Sequence, residues 1–303
     1  MTNQHAITDA EMQSYQEHGY FVRTGAYTVD EMDQLGNHVN WLIAQMEESP
    51  YITHEQRRRL LARNGQAAVQ TGPASLVNIF RISLFSRFVR QHMKDEQRLA
   101  IAHTLVGEDL FCPNDLYFLK PPGTGKAVAW HQDSWYFRNT YQSTVGYPIE
   151  ETTVGTWLAI DDADVENGCL WVIPGTHRHG VVDHGEDDNA DDKFLGKNIP
   201  RITDELDKQA VPVEVPKGSL VVFNNALLHR STPNRSDRYR RAYIVHYMKA
   251  TNQYTERGYH RLTGQIAEWG WGTPETYICG QRFPDCVQAT LDSERLNWDE
   301  RIV

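Results

Sequence analysis

The sequence predicts a mainly β protein with flanking helices, of α+β class, whose core is a sandwich or barrel. Three observations point there. Helix caps and helical periodicity fill the first hundred residues; short apolar runs with turn punctuation recur from 109 to 249; and no repeat or low-complexity linker divides the chain. Many short strands separated by turn signals are the pattern of a sandwich or barrel. We read a single domain over 1–303, with a helical N-terminal part at about 8–105, a β core at about 109–249 and a C-terminal extension at 250–303.

The elements follow in order. Thr8 caps a first helix, with Glu11 completing a capping box, and the helix runs to His18 before Gly19 stops it. Tyr20–Arg23 is a short strand. Thr28 and Glu31 repeat the capping box ahead of a helix whose Met32, Leu35, Val39, Leu42, Ile43 and Met46 share one core-facing stripe. The polar, basic stretch Glu55–Asn64 is helical or mobile, and Ser83–Leu105 reads as one further helix. From Leu110 the pattern turns to β and reaches Lys120, where Pro121-Pro122-Gly123 breaks it. Ala127–His131 is the next strand, Val154–Ile160 another, and Glu166-Asn167-Gly168 reads as a hairpin turn into Cys169–Ile173. Strands recur at Val211–Val215, Ser219–Phe223 and Tyr239–Met248. Between them, His179–Pro200 is a polar insertion crowded with Asp183, Glu186, Asp187, Asp188, Asp191 and Asp192, expected to be a surface loop or a lid.

Composition narrows the functional classes. A hydrophobic content of 40%, with 8 Trp and 14 Tyr, supplies a core and excludes a disordered chain. A formal charge of −10 argues against nucleic acid as a partner. There is no apolar run of about 18 residues, so no membrane span is expected, and the opening residues lack a signal-peptide pattern. Cys112, Cys169, Cys279 and Cys286 form no Cys-x-x-Cys pair, which fits a reducing cytoplasm better than a disulfide framework or zinc ribbon.

The chemistry-bearing stretch is Trp130-His131-Gln132-Asp133, joined by the distant His229. On a strand, residues two apart project from one face, so His131 and Asp133 can grip a single ion. His229 follows the apolar run Ser219–Phe223, at the end of another strand. Two imidazoles and a carboxylate on one side of a metal are the facial triad of non-haem Fe(II) oxygenases, with coordination positions left open.

The neighbouring motifs are Tyr15-Gln16-Glu17-His18-Gly19-Tyr20-Phe21-Val22, Phe118-Leu119-Lys120-Pro121-Pro122-Gly123, Trp157-Leu158-Ala159-Ile160-Asp161-Asp162-Ala163, Glu166-Asn167-Gly168-Cys169-Leu170 and Ile173-Pro174-Gly175-Thr176-His177. Together with the metal motif they resemble the phytanoyl-CoA dioxygenase (PhyH) family, over roughly Thr8–Lys249. The resemblance implies a double-stranded β-helix core, jelly-roll or cupin-like. It implies Fe(II) on His131, Asp133 and His229, 2-oxoglutarate as co-substrate and O2 as oxidant. Arg240, eleven residues past His229, matches the arginine that pairs with the distal carboxylate of 2-oxoglutarate, a role suited to a planar guanidinium. Strand alternation sends Arg240 and Ala242 to one face and Arg241 to the other, with Arg238 as the rival. Ser231 matches a second contact to that carboxylate, and Trp157 and Asn114 sit where the family meets its co-substrate. His177 and His179 belong to a structural turn, and His246 is a core histidine or a support to the metal ligands. Trp135, Tyr136 and Phe137 are candidates to line the substrate pocket, with Arg138 as a polar anchor.

The expected activity is hydroxylation of a small molecule by a cytoplasmic monomer or homodimer, with succinate and CO2 as co-products. Asp133 favours hydroxylation, since related halogenases replace that carboxylate with a small residue. Desaturation, cyclisation or epimerisation would use the same ligands. A non-catalytic jelly-roll metabolite binder is the reading from another class. The prime substrate is not legible in the sequence.

Overall fold

A computed structural model describes residues 5–48, 78–80, 82–84, 86–123, 127–138, 141–143, 146–186, 193–194, 198–254 and 277–279. Along the chain these form α1 (Asp9–His18), β1 (Tyr20–Arg23), α2 (Val29–Glu48), β2 (Asn78–Phe80), α3 (Arg87–Met93), α4 (Glu96–Leu105), β3 (Leu110–Lys120), β4 (Ala127–His131) and α5 (Asp133–Arg138). Then come β5 (Tyr141–Ser143), β6 (Thr153–Ala159), β7 (Leu170–Val172), β8 (His184–Glu186), β9 (Lys193–Phe194), β10 (Asn198–Pro200) and α6 (Asp204–Asp207). The remainder is β11 (Val211–Val213), β12 (Leu220–Asn224), β13 (His229–Ser231), β14 (Arg240–Lys249), β15 (Asn252–Tyr254) and β16 (Tyr277–Cys279).

Two sheets make the jelly roll. One runs β1-β12-β6-β14-β3-β16, with β2 also on β3, and the other runs β11-β7-β13-β4-β9. Pairing is antiparallel throughout both sheets except for β4 with β9. The larger sheet is buried on both faces, which is why its strands read as near-continuous apolar runs rather than alternating ones. On β14, Ala242 and Ile244 turn inward to meet Phe118, Trp157, Val172 and Phe223 between the sheets. Tyr243, Val245 and Tyr247 turn outward to meet Leu35, Leu42 and Ile101 of the helices. Alternation along a strand thus sorts one segment between two cores.

Local signals explain the helical part. The capping boxes close as expected: the Glu11 N–H donates to Thr8 Oγ1 at 3.2 Å, and the Thr28 N–H donates to Glu31 Oε2 at 2.7 Å. Gly19 ends α1 at φ 87°, and a Cβ there would come within 2.5 Å of His177 Nδ1, so only glycine serves. Met32, Leu35, Val39, Leu42 and Ile43 are buried as a stripe. The expected single helix over Ser83–Leu105 is instead divided. Ser86 caps α3 and Asp95 caps α4, each accepting from the N–H three residues on, because these short polar side chains satisfy helix-end donors and so mark new starts.

Two further differences have physical causes. Glu166-Asn167-Gly168 is not a hairpin turn, since β6 and β7 lie in different sheets. It is a crossover, tied by Asn167 Nδ2 donating to the Asp162 carbonyl at 2.7 Å and by reciprocal bonds between Asp164 and Asn167. Mid-strand Pro113 is tolerated because the β3–β14 register slips between His246 and Met248, opposite that stretch, and a bulge accommodates a residue with no N–H to donate. Glu55–Asn64 and most of the acidic run and the C-terminal extension lie outside the described residues. His184–Glu186, at the start of the insertion, pairs with Asn198–Pro200.

A buried polar network joins the helices to the larger sheet. Arg98 is fully buried, donates to Thr156 Oγ1 at 3.1 Å and to Tyr27 Oη at 3.3 Å, lies 3.5 Å from Asp95, and covers the Tyr243 ring. Removing one member of such a set strands the others without partners. Arg98→Ala is expected to lower unfolding free energy by about 3–5 kcal/mol, read by urea denaturation. A loss below 1 kcal/mol would mean the network behaves as a surface pair.

Candidate metal centre and co-substrate pocket

Three elements converge on one point between the sheets. β4 ends at His131, β13 begins at His229, and the two histidines are register partners across the antiparallel pair. Their ring centroids lie 4.0 Å apart. Asp133 is not on the strand as the His-x-Asp spacing suggests: it is the first residue of α5. The strand-to-helix turn, rather than a shared strand face, swings its carboxylate back over the histidines. Asp133 Oδ1 lies 3.7 Å from His131 Nε2, and Oδ2 lies 3.6 Å from His229 Nε2. Nor does His229 end the strand of Ser219–Phe223. It opens a separate strand in the opposite sheet, after the Asn224–Leu228 turn carries the chain across.

The histidines are preset for metal. His131 Nδ1 faces the Ala129 carbonyl at 2.8 Å and His229 Nδ1 faces the Leu227 carbonyl at 2.9 Å. A carbonyl only accepts, so each Nδ1 carries the proton and each Nε2 presents its lone pair to the centre. Burial, with the neighbouring His229, pushes His131 down to about 3, so it stays neutral. One donor atom from each of His131, Asp133 and His229 lies within 4.8 Å of the others. Nitrogen and carboxylate donors on one face suit divalent iron.

Gln132, between two of these ligands, had no role assigned from sequence and proves structural to the site. It is fully buried; Nε2 donates to the Gly180 carbonyl at 2.9 Å and also to the Ala226 carbonyl, while Oε1 accepts from the Val182 N–H at 2.9 Å. One amide therefore ties the metal turn to the approach of β13 and to the start of the insertion. An amide inside a metal motif, where solvent exposure is impossible, is the signal that could have pointed to it.

Arg240 is the second half of the site. It faces inward on β14, 2% exposed, 5.3 Å from the Phe118 ring centroid and 5.7 Å from that of Trp157. Among the described residues no carboxylate pairs with it, and its Nε has no hydrogen-bond partner. Burial pushes the guanidinium down to about 10, still charged at neutral pH. An uncompensated buried cation is costly, so the pocket fits a carboxylate ligand. Ser231, buried on β13 two residues past His229, shares that residue's face. Lys120 is the register partner of Arg240, and its Nζ donates to the Thr232 carbonyl beside Ser231, while burial and the Arg240 charge push it down to about 6. Its place was invisible in sequence because β3–β14 register is a tertiary property. Arg238, the rival, is half exposed and pairs with Asp164 at 2.6 Å.

The other candidates fall into distinct places. Trp157 is buried on the inner face, and Asn114 is half-buried opposite His246. Trp135 stacks on His184 with centroids 4.7 Å apart, and Tyr136 meets His131 in a T-shaped contact with centroids 6.4 Å apart. Phe137 packs with Tyr141 and against His246, in a small core of its own. Arg138 sits on the rim, bonded to the Val181 carbonyl and Asp183 at 3.3 Å each. His177 contacts the Gln16 carbonyl at 3.2 Å and braces α1. No helix among the described residues is long and apolar enough to cross a membrane.

A jelly roll holding two inward imidazoles, one carboxylate and a buried arginine receptor is the arrangement of a non-haem iron, 2-oxoglutarate-dependent dioxygenase. The chain belongs to the phytanoyl-CoA dioxygenase (PhyH) family, whose model matches residues 15–242. It is 28% identical over 275 residues to phytanoyl-CoA dioxygenase domain-containing protein 1 of Danio rerio, covering 81% of this chain and 91% of that one. Its fold is also that of EctD from S. alaskensis, solved with bound Fe (TM-score 0.64, 18% identity, 84% of this chain and 81% of that one). The non-heme monooxygenase ThoJ is similar over 95% of both chains, at TM-score 0.62 and 20% identity.

Proposed function

We propose that this enzyme hydroxylates an unactivated C–H bond of a small molecule, consuming O2 and 2-oxoglutarate and releasing succinate and CO2. The observation that carries the reading is the carboxylate of Asp133 completing the triad with His131 and His229, opposite a buried arginine that has no acid of its own among the described residues. Bound iron supplies the oxidising chemistry, driven by decarboxylation of the co-substrate. The protein's part is position and exclusion of water. His131, Asp133 and His229 would hold the ion. Arg240 and Ser231 receive the far carboxylate of 2-oxoglutarate, with Trp157 and Asn114 on the same inner face. Trp135 and Tyr136 wall the opposite side beside His184, and Arg138 stands at the rim as an anchor for a polar substrate group.

The atoms balance: one oxygen of O2 enters the substrate, the other enters succinate, and CO2 leaves. The test is a co-substrate consumption screen over small amines, amino acids and natural-product scaffolds, with and without Fe(II). The expected result is Fe(II)-dependent succinate release and a product heavier by one oxygen atom. A product lacking two hydrogens, or a rearranged product of unchanged mass, would replace hydroxylation by desaturation or epimerisation. Binding of 2-oxoglutarate with no succinate under any condition would make the chain a metabolite binder.

A further inference from the structure

The inner face of β14 carries a third histidine into the site. His246 is 3% exposed, and its Nε2 lies 3.8 Å from Asp133 Oδ2. It is not among the groups close enough to share the ion. Its ring is wedged edge-on between Phe137, 5.2 Å away, and Phe223, 6.3 Å away. Its other nitrogen, Nδ1, meets the side-chain amide of Asn225 at 3.2 Å. Asn225 is itself fully buried, and its backbone carbonyl accepts from the Ser134 N–H at 2.9 Å, one residue beyond Asp133. The metal carboxylate is thus approached from two directions by one asparagine. Gly155, the register partner of His246 on β6, makes the space: a Cβ there would meet Phe223 Cζ at 2.5 Å and the Asn225 amide at 2.7 Å.

Proton accounting decides what His246 does. A neutral imidazole has one N–H. With the amide oxygen of Asn225 toward Nδ1, that proton is spent on Asn225, a bare Nε2 lone pair faces a carboxylate, and Asn225 Nδ2 has no partner. The two ends of a carboxamide have the same shape. Turning the amide lets Nδ2 donate to Nδ1, which moves the ring proton to Nε2, aimed at Asp133. The ring then faces the carboxylate with an N–H instead of a lone pair. At 3.8 Å the contact is electrostatic, longer than a hydrogen bond.

We propose that Asn225 and His246 are positioning residues for Asp133: the amide fixes the imidazole tautomer, and the Nε2–H holds one carboxylate oxygen so that the other is presented to the iron. Supports of this kind orient metal ligands, and their loss costs affinity for the metal. The inference rests on Asp133 being a ligand. The test is anaerobic equilibrium dialysis of the full chain against Fe(II), with the absorption spectrum of the Co(II)-loaded protein as a second readout. His246→Leu keeps the volume and removes the donor; it is expected to weaken Fe(II) binding by roughly 10- to 100-fold and to alter the Co(II) bands. His246→Gln returns an amide N–H near the Nε2 position and should recover most of the loss, which a purely packing role would not produce. If His246→Leu does not fold, Asn225→Ala carries the test, with weaker Fe(II) binding expected. Wild-type Fe(II) affinity in a folded His246→Leu or, failing that, Asn225→Ala overturns the proposal. A wild-type chain that binds no Fe(II) would instead sink the metal centre itself.

Discussion

Alanine at His131, Asp133 or His229 is expected to abolish turnover and to lower Fe(II) affinity by more than the roughly 100-fold that loss of an outer support can cost, with the chain still folded. The facial arrangement depends on all three donors, since two leave the ion without a fixed orientation in a site open on its other side. Folding does not depend on them in the same way. Among the described residues the imidazoles hydrogen-bond to the nearby Ala129 and Leu227 carbonyls, and the packing between the sheets comes from Phe118, Trp157, Val172, Phe223 and Ile244. Metal titration and thermal unfolding, run on the same variants, separate the two properties. Persistent activity in the His229 variant would show that another histidine serves, and His246 is the one placed near enough to Asp133 to be examined first.

Arg240→Ala is expected to raise the 2-oxoglutarate requirement far more than the substrate requirement. Removing one partner of a buried, charge-assisted pair costs about 2–5 kcal/mol, or roughly thirtyfold to a few thousandfold in affinity. The deficit falls on the co-substrate because Arg240 is directed between the sheets, against Phe118 and Trp157, and has no carboxylate partner among the described residues. Arg241→Ala should act on stability instead, since its guanidinium grips Asp161 at 2.6 and 2.8 Å on the other face. Arg238→Ala should leave both constants unchanged, its charge being spent on Asp164 at the surface. KM values for 2-oxoglutarate in the three variants decide the matter. A raised KM in Arg238→Ala with none in Arg240→Ala would mean that the carboxylate binds outside the sandwich.

Much of this was legible in residue order, and particular positions show why. The capping boxes at Thr8 and Thr28 are local chemistry, complete within four residues, and they close as read. Alternation placed Arg240 and Arg241 on opposite faces because that rule needs only that β14 be a strand. Local rules misled where the chain changes layer. His131 and Asp133 converge by a turn into α5, not along one strand, and Glu166-Asn167-Gly168 leads from one sheet to the other rather than back along a hairpin. Asp95 divides what periodicity joined into one helix, because an N-cap competes with continuation of the preceding turn.

Residue order, read with the family resemblance its motifs carry, was enough for the fold class and the donor set of the metal centre, and it marked Arg240 as the candidate for the co-substrate carboxylate. The partners were decided only by tertiary structure. That His131 stands opposite His229, that Lys120 lies beside Arg240, that Gln132 ties three loops and that His246 and Asn225 reach Asp133 all depend on which strands pair and in what register. Register between strands a hundred residues apart is set by the summed packing of both faces of a sheet, and no short stretch of sequence contains that sum.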